Sequence, residues 1–417
     1  MDHINIAIVG CGGMGRRHLT GLAELAQSDF DSVTLQAVCD LNERNAEDLA
    51  DEAVGLLGYR PRVFLSVAEM VRQMEGLVGA DVTVDTGVHH RVATECLDLG
   101  LHVQCEKPLA LTIRGCRQVI AAAERAGRVL SVAENYRRDP INRLVKALLS
   151  DGAIGTPRLM VETGIGGGNR IVITPWRHQK RSGTIVLDAG VHNADILQYY
   201  LGPVREVYGE AKIFEKIRYR GNTSGPGGFY EKWAAAMPEQ VEATGEDTLF
   251  GYLKFAGGAT GQWLDTHAGH GQGRHDRSLW GSEGSLAAPG DRNGRPIKLY
   301  REGREITGDA VLEFAPSYRL EPAAAALFGG ERVAGYDFPF PVTDRKILAL
   351  EYYEFAECIQ GRRQPEVTGE VALRDVALIY AIIESSVAGR AVTLEEVVTS
   401  QVDAYQRELD EALGLVQ

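Results

Sequence analysis

The sequence lacks three features that would point to particular partners or compartments. Basic residues are the minority, at 44 Lys and Arg against 57 Asp and Glu, whereas proteins that bind nucleic acids or anionic membranes need a basic face. The six cysteines have no close Cys-x-x-Cys spacing, which favours buried free thiols over disulfides or a zinc site. There is neither an apolar run of bilayer length nor a signal-peptide pattern. We therefore expect a globular cytoplasmic protein that binds neither nucleic acid nor membrane.

The chain is long enough, at 417 residues with 44% hydrophobic content, for two domains. As far as residue 149, predicted strands alternate with predicted helices, which is typical of the doubly wound parallel sheet of a Rossmann domain. Beyond it the strands follow at hairpin-like spacing, which predicts a mostly antiparallel sheet closed by C-terminal helices. We therefore predict an α/β fold with domains 1–149 and 150–417. Such a sheet can leave one face free for another subunit, so we expect a homo-oligomer.

The glycine-rich segment after the first predicted strand, INIAIV at 4–9, predicts a dinucleotide site. A helix is predicted to start within it, so strand, G-x-G-x-x-G and helix occur in the order that places a pyrophosphate at a helix N-terminus. A glycine-rich turn without a ligand is the alternative. The predicted cofactor contacts are Gly10, Gly12, Gly13, Met14 and Gly15.

A carboxylate at the end of the second predicted strand, 33–39, bears on the choice of cofactor. Asp40 would accept hydrogen bonds from the adenosine ribose hydroxyls and would repel a 2′-phosphate, which favours NAD over NADP. Arg44 nearby is of the type that can hold a 2′-phosphate, so NADP is not excluded. The structural alternative for Asp40 is a helix cap.

The segment VQCEKPLALT at 103–112 places a lysine where cofactor and substrate would meet. Its alternating pattern predicts a strand that ends at Glu106. Pro108 stops the strand and biases the preceding residue out of the helical region. Lys107 is thus predicted at a bend beyond a strand end, and this is the edge of a parallel sheet where ligands bind.

The preceding predicted strand, 82–86, ends at the same edge. Thr86 and His89 follow from this position as predicted cofactor contacts. His89 and His90 are adjacent and cannot both point one way on an extended segment, so lining of the nicotinamide groove is favoured over a metal site.

The segment SGTIVLDAGVHNADILQYYL at 182–201 is predicted to be one helix. Asp188 and His192 would then share a face, since they are four residues apart. A carboxylate beside an imidazole can fix its tautomer and raise its basicity, as a general base requires. The alternative is a simple surface interaction.

A second group of histidines, His267, His270 and His275, follows another predicted strand. Its glycine-rich spacing without accompanying carboxylates favours substrate contacts or a loop over a metal site. Together with Lys180 and Arg181, these residues would suit an anionic sugar. We predict substrate contacts from His267 and Lys180, and no metal.

The order of these motifs resembles that of the Gfo/Idh/MocA oxidoreductase family. The resemblance covers most of the chain, and EKP together with D-x-G-x-H is its specific part. It implies a Rossmann domain followed by an α/β domain with a large open sheet, a homodimer or homotetramer, and activity on sugars, polyols or similar compounds. The matching segments are GCGGMG at 10–15, EKP at 106–108, NYR at 135–137, WR at 176–177, SGTIVLDAGVHNADIL at 182–197 and VTGEVALRDVALIYAIIESSVAGRAVTL at 367–394.

Carried over position by position, the resemblance assigns catalysis to Lys107, Asp188 and His192. It also places Trp176 and Arg177 near the nicotinamide and the substrate. Cofactor contacts are expected from Glu106, Lys107, Asn135, Trp176 and Arg177. Substrate contacts are expected from Lys107, Tyr136, Arg137, Asp188 and His192. The stretches 214–246 and 302–340 depart from shorter members of the family, so the resemblance does not name the substrate.

We therefore predict an NAD-dependent dehydrogenase that oxidises a secondary hydroxyl of a sugar, glycoside or polyol. His192 would take the hydroxyl proton, oriented by Asp188, while the Lys107 ammonium would stabilise negative charge on oxygen. Lys107 as the proton-transfer group is the competing assignment. Two other functions stay open: glycoside hydrolysis through transient oxidation by NAD, and a dinucleotide-binding regulator without catalysis. The presence of all three residues argues against the regulator.

Overall fold

The computed structural model describes residues 3–221, 228–234 and 236–416, which form two units with a sheet in each. The first unit contains residues 3–135, 228–230 and 341–373, and the second contains 136–221, 231–234, 236–340 and 374–416. The predicted boundary near residue 149 thus lies inside the second unit. The segment 341–373 returns to the first unit, and no local sequence pattern indicates this return.

Six parallel strands build the first sheet, in the order β3-β2-β1-β4-β5-β6. Every residue of β4 and β6 is buried, as expected for a parallel sheet that helices cover on both faces. This arrangement confirms the predicted doubly wound sheet. The strands are β1 (Ile4–Val9), β2 (Val33–Cys39), β3 (Arg62–Phe64), β4 (Gly79–Val82), β5 (His102–Glu106) and β6 (Leu130–Ala133), and the helices between them are α1 (Gly13–Ala26), α2 (Glu43–Leu57), α3 (Val67–Gln73), α4 (His89–Asp98) and α5 (Ile113–Ala126).

The second sheet has nine strands in the order β16-β15-β14-β13-β7-β12-β11-β8-β17. Only the β7–β12 pair within it is parallel, so the predicted large, mostly antiparallel sheet is confirmed. The strands are β7 (Pro157–Gly167), β8 (Val204–Lys212), β11 (Thr248–Phe255), β12 (Thr260–Gly269), β13 (Arg274–Gly281), β14 (Gly284–Ala288), β15 (Lys298–Arg301), β16 (Arg304–Thr307) and β17 (Val392–Thr393).

The remaining elements complete the two units. Two short strands, β9 (Ile217–Tyr219) and β10 (Gln240–Glu242), form a separate antiparallel pair. The helices are α6 (Pro140–Ser150), α7 (Ile185–Asp188), α8 (Gly190–Leu201), α9 (Glu231–Ala234), α10 (Pro322–Phe328), α11 (Phe340–Ile359), α12 (Gly369–Ala388), α13 (Leu394–Val398) and α14 (Arg407–Ala412). Within the described ranges, no helix combines the length and the apolar character that crossing a bilayer requires.

Two predicted elements have the wrong bounds. The predicted strand at 82–86 ends at Val82, because the Asp85 carboxylate accepts a hydrogen bond from the Gly87 amide at 2.9 Å and closes a 3₁₀ turn at Thr86–Val88. The predicted single helix at 182–201 is two helices. The Thr184 hydroxyl caps α7, and α8 begins at Gly190, where a Cβ would lie 2.9 Å from the side chain of Ile379 on α12.

The sequence pattern does not predict the four strands β13 to β16. The segment RHDRSLWG at 274–281 carries charges that argue against a buried strand. Arg277 is nevertheless buried, because Glu162 on the adjacent β7 accepts two hydrogen bonds from its guanidinium, at 2.7 and 3.0 Å. A charge can be buried when it is paired in this way, and the partner lies far away in sequence.

Candidate active site

A groove of about 500 Å³ in the first unit lies where the sequence predicts the dinucleotide. Gly10 has a φ of +104°, and a Cβ there would lie 2.7 Å from the Thr83 backbone. A Cβ on Gly15 would lie 2.2 Å from the Gly10 carbonyl oxygen, whereas one on Gly12 would meet nothing within 4 Å. The first and third glycines are therefore needed for packing, and the second leaves the backbone open toward the groove. These are the three roles that a bound pyrophosphate requires.

Asp40 lines this groove and is held in place by two amides. Its carboxylate oxygens accept hydrogen bonds from Cys11 N at 2.7 Å and from Asn42 N at 2.8 Å. The N-terminal cap of α2 is Asn42, whose side chain accepts from Arg44 N and Asn45 N. Asp40 is therefore not the helix cap, and its carboxylate is oriented at the position predicted for ribose recognition.

Tyr230 is a residue at the glycine-rich turn that the sequence pattern does not identify. A Cβ on Gly13 would lie 2.6 Å from Cε1 of the Tyr230 ring, so the ring packs directly on the turn. The surrounding aromatic segment at 221–233 is predicted to be a lid or binding arm, but residues 222–227 of it lie outside the described residues. The described part supplies one aromatic ring to the predicted cofactor site.

The turn that carries Lys107 begins where β5 ends, as predicted. His89 lies behind it and is 1% exposed. Its Nδ1 is 2.8 Å from the Pro108 carbonyl oxygen and its Nε2 is 3.1 Å from that of Val84. Both ring nitrogens thus contact the backbone, which favours bracing of the lysine turn as the role of His89 over the predicted cofactor contact.

Three further predicted cofactor residues of the first unit are buried near strand ends. Thr86 lies in the 3₁₀ turn after β4, and Glu106 is the last residue of β5. Asn135 follows β6, and its buried Oδ1 accepts no hydrogen bond from any part of the chain that the structure describes. An orphaned buried acceptor of this kind suits a ligand donor, and with the open Gly12 backbone it fits a bound dinucleotide.

In the second unit, the predicted base His192 stacks on Tyr136. The ring centroids are 4.1 Å apart and the planes differ by 1°. Arg292 Cζ lies 4.7 Å from the Tyr136 centroid, and Arg292 Nη2 donates to the Tyr136 hydroxyl at 3.3 Å. Arg292 has a φ of +58° and lies 100 residues from His192, so no sequence motif connects them. Arg292 is thus a cation in contact with Tyr136, one of the predicted substrate residues.

Asp188 is bound by the arginine of the Trp176-Arg177 pair. Its Oδ2 accepts a hydrogen bond from Arg177 Nε at 2.7 Å, and Arg177 Nη1 donates to Thr174 Oγ1, also at 2.7 Å. Arg177 Cζ lies 4.4 Å from the Trp176 ring centroid. Asp188, Arg177 and His192 are all buried. The structure thus joins the Trp176-Arg177 pair to the predicted catalytic aspartate within this unit, and the proximity of the pair to nicotinamide and substrate stays a prediction.

Arg137 and Lys180 form ion pairs within the protein, whereas the sequence predicts that both contact the substrate. Arg137 Nε donates to Asp195 Oδ2 at 2.9 Å in a buried ion pair. Lys180 Nζ donates to Glu408 at 3.1 Å and lies 4.0 Å from the Tyr405 ring centroid. These contacts favour structural roles, and the predicted substrate contacts of both residues stay without support.

His267 lies on the inner face of the second sheet together with a carboxyl group that the sequence reasoning misses. His267 Nε2 is 3.8 Å from Asp265 Oδ1, and burial raises the pKa of Asp265. The strand register places Asp265 opposite Gly164, and Gly164 opposite His275. Period-two alternation along β12 is the signal that could have indicated Asp265. Among the described residues, no group of three metal-ligating side chains is present.

Two family models match the chain. Residues 4–134 match an oxidoreductase family with an NAD-binding Rossmann fold, and residues 142–287 match the GFO/IDH/MocA C-terminal domain. The chain belongs to the Gfo/Idh/MocA oxidoreductase family. Its first unit is thus an NAD-binding Rossmann domain.

Named dehydrogenases match over nearly the full length. D-apiose dehydrogenase of Paraburkholderia graminis is 25% identical over 404 residues, which covers 93% of this chain and 89% of that protein. Myo-inositol 2-dehydrogenase of Thermotoga maritima is 22% identical over 397 residues, covering 95% and 100%. A levoglucosan dehydrogenase solved with NADH and L-sorbose has a TM-score of 0.72 at 20% identity, covering 95% of this chain and 100% of that one, and shares the fold.

Proposed function

We propose that this protein is an NAD-dependent dehydrogenase that oxidises a secondary hydroxyl of a sugar or polyol. The observation that carries the proposal is the groove with the open Gly12 backbone and the oriented Asp40 carboxylate in the same unit as the Lys107 turn. The names of the D-apiose and myo-inositol dehydrogenases support carbohydrate as the substrate class.

The chain's own residues divide the reaction between them. Bound NAD supplies the hydride acceptor. His192 takes the proton of the reacting hydroxyl, and its ring orientation is set by stacking on Tyr136 at 4.1 Å. Arg177 donates a hydrogen bond to the Asp188 carboxylate at 2.7 Å. This contact fixes the carboxylate, whose role in the proposal is to orient His192. The Lys107 ammonium stabilises negative charge that develops on the substrate oxygen.

The preference for NAD over NADP is part of this proposal. The Asp40 carboxylate is fixed by two backbone amides at the groove, and a 2′-phosphate there would face a negative charge. Like charges in contact lower affinity by several kcal/mol. Cytoplasmic location stays a prediction.

The test is an assay of NADH formation by the purified protein across neutral sugars, polyols and acidic sugars. We expect at least one sugar or polyol to support turnover, with a kcat/KM at least about tenfold higher for NAD than for NADP, equivalent to about 1.4 kcal/mol. Glycosides in the same panel separate the alternatives. Release of the aglycone without accumulating NADH would identify a redox-neutral glycosidase, and NAD binding without turnover would identify a regulator.

The charge of the substrate can be read from the same panel. Arg292, which lies over the ring of Tyr136, supports an anionic sugar such as a uronate, because guanidinium groups bind carboxylates in a bidentate manner. Higher kcat/KM for the acid than for the matching neutral sugar is the expected result. Equal values would contradict an anionic substrate.

We further propose that the protein forms a homo-oligomer through the outer face of the second sheet. Tyr252 pairs with Tyr208, and Trp280 pairs with Leu159, in the strand register. These four side chains point to the same face and are 41–56% exposed. Large exposed aromatic and aliphatic side chains grouped on one face of a sheet are typical of an interface between subunits.

A charge at the centre of this face should separate the subunits. We expect Tyr252→Glu to convert the oligomer to monomers, because burying an unpaired carboxylate at the interface costs several kcal/mol. Light scattering after size-exclusion chromatography measures the mass. The matched control is Val54→Glu, which places the same charge on an exposed residue of α2. An unchanged mass for Tyr252→Glu would show that this face is not the interface.

A further inference from the structure

A buried cluster of charged side chains lies directly behind the Lys107 turn. Its centre is His18 on α1, which is 0% exposed. The His18 Nδ1 is 2.8 Å from Asp81 Oδ2 on β4, and its Nε2 is 2.9 Å from Glu106 Oε1 on β5. Because both ring nitrogens meet carboxylate oxygens, both must donate, and only the imidazolium has two N–H donors.

The charged groups of this cluster shift one another's pKa values toward the ionised forms. Burial would lower the pKa of His18, but the Asp81 and Glu106 carboxylates raise it well above its ordinary value. Burial would likewise raise the pKa of Glu106, but His18, together with Lys107 and Arg17, holds it at about 2. Glu106 is therefore ionised although it is buried, and it depends on the His18 charge to remain so.

Glu106 also contacts the lysine turn itself. Its second oxygen, Oε2, accepts a hydrogen bond from the Lys107 backbone amide at 2.9 Å. A hydrogen bond from a backbone amide to an ionised carboxylate is stronger than one between neutral groups. His18, Glu106 and the Lys107 backbone thus form a continuous chain of charge-assisted contacts from α1, the helix that begins in the glycine-rich turn, to the lysine.

Further contacts to Asp81, one of them from α11, complete the cluster. The Tyr352 hydroxyl donates to Asp81, and Gln104 Nε2 donates to Asp81 Oδ1 at 3.2 Å. Arg17, the neighbour of His18, forms an ion pair with Asp344 on the same helix α11. Asp81 is thus occupied on both oxygens, and the imidazolium cannot rotate away from Glu106 without breaking several contacts.

We propose that His18 is a positioning residue, which fixes the Glu106 carboxylate and, through it, the Lys107 turn at the edge of the dinucleotide groove. This proposal rests on the proposed function, in which Lys107 acts on the substrate oxygen. It adds that helix α1 couples the cofactor turn to the catalytic lysine. A purely structural ion pair is the competing account, and the two differ in what they predict for kcat.

Activity of single and double variants distinguishes these accounts. We expect His18→Gln and Glu106→Gln each to lower kcat by about 10- to 100-fold, since a small misplacement of a catalytic group has effects of this size, while the Kd for NAD of His18→Gln changes less than about threefold. The double variant should be no slower than the slower single variant, because both act through the same carboxylate. Losses that multiply in the double variant would overturn the proposal.

The matched control lies on the same helix. Glu24 on α1 accepts hydrogen bonds from Arg345 Nε at 2.6 Å and Lys346 Nζ at 2.8 Å on α11. Glu24→Gln therefore weakens the same pair of helices without contacting Glu106. We expect it to lower the Tm and leave kcat unchanged. If Glu24→Gln lowers kcat as much as His18→Gln, helix packing alone accounts for the effect and the proposal is wrong.

If His18→Gln does not fold, the pH dependence of kcat can be measured in a milder variant, Asp81→Asn. The groups that face the imidazole are Asp81, Glu106 and Tyr352, while Lys107 and Arg17 act on Glu106 and Glu351 acts on Tyr352. Asp81→Asn removes one of the two carboxylates that raise the His18 pKa. The imidazolium is then lost at a lower pH, so kcat should fall as pH rises through a range where the wild-type kcat is flat. Identical profiles would count against the proposal.

A measurement that does not need turnover separates this inference from the proposed function. Hydrogen–deuterium exchange of the peptide 103–112 reports the protection of the Lys107 amide. We expect faster exchange in His18→Gln and Glu106→Gln, but not in Glu24→Gln. If the wild-type protein oxidises no sugar and this pattern is still found, the positioning role stands and the dehydrogenase proposal fails. Unchanged exchange and unchanged kcat in an active enzyme would overturn the positioning role alone.

Discussion

Lys107→Met is expected to lower kcat by about 10²- to 10³-fold, the effect of removing one group that stabilises charge in a transition state. Methionine has nearly the length of lysine and lacks its charge, so the turn between Glu106 and Pro108 should keep its shape. The glycine-rich turn is shaped by packing on the Thr83 backbone, and the Asp40 carboxylate is held by two backbone amides, so the Kd for NAD should change less than about threefold. Steady-state kinetics and calorimetric titration with NAD measure the two quantities.

Lys107→Arg is the matched control for this substitution. Arginine retains the positive charge but not the compact ammonium, so it should recover part of the lost kcat. If Lys107→Met turned over sugar at the wild-type rate, Lys107 would neither stabilise the oxyanion nor transfer the proton. A weaker Kd for NAD with unchanged kcat would show that the lysine serves cofactor binding instead.

His192→Asn is expected to lower kcat by about 10²- to 10⁴-fold, the range for removing a general base. Asparagine cannot take a proton at neutral pH, and it cannot reproduce the parallel stack on Tyr136 at 4.1 Å. Asp188, held by Arg177 at 2.7 Å, would remain in place. Measuring the kcat of the variant across a pH series gives the loss of rate. It also shows whether the fall in kcat at low pH, where the wild-type base is protonated, has disappeared.

The control for this experiment is another buried histidine of the same unit. His178 Nε2 accepts a hydrogen bond from Val172 N at 2.9 Å, and burial together with the nearby Arg218 charge lowers its pKa to about 3. His178→Gln retains an acceptor and should change stability more than kcat. Should His192→Asn retain turnover that Lys107→Met abolishes, the lysine would be the proton-transfer group and the assignment of the two residues would be reversed.

The elements that the sequence predicts well are those with strong local signals. Helix α6, Pro140–Ser150, has such a signal at its start, because Asp139 caps it and a proline occupies its first turn. The hairpin between β11 and β12 follows from Gly257-Gly258, where Gly258 has a φ of +91°. The glycine-rich turn follows from short-range sterics. In each case the deciding contacts lie within a few residues of one another.

The predictions that failed concern elements whose deciding contacts lie far apart in the sequence. The helix predicted at 182–201 is two helices, and the second begins at Gly190, which packs against Ile379 almost 190 positions away. Strand β13 was missed because its buried arginine, Arg277, is neutralised by Glu162, which lies 115 positions earlier in the chain. Local periodicity contains no information about such distant partners.

By itself, the sequence determined the class of fold, the dinucleotide-binding turn and the carboxylate beside it, since each depends on residue types at short spacing. The three candidate catalytic residues came from the resemblance to the family. Only the tertiary structure decided which charges could be buried and what holds the catalytic groups. His18, Asp81, Glu106 and Tyr352 come from one helix, two strands and a helix near the far end of the chain. Their ionisation states exist only after folding has removed water and brought opposite charges to hydrogen-bonding distance.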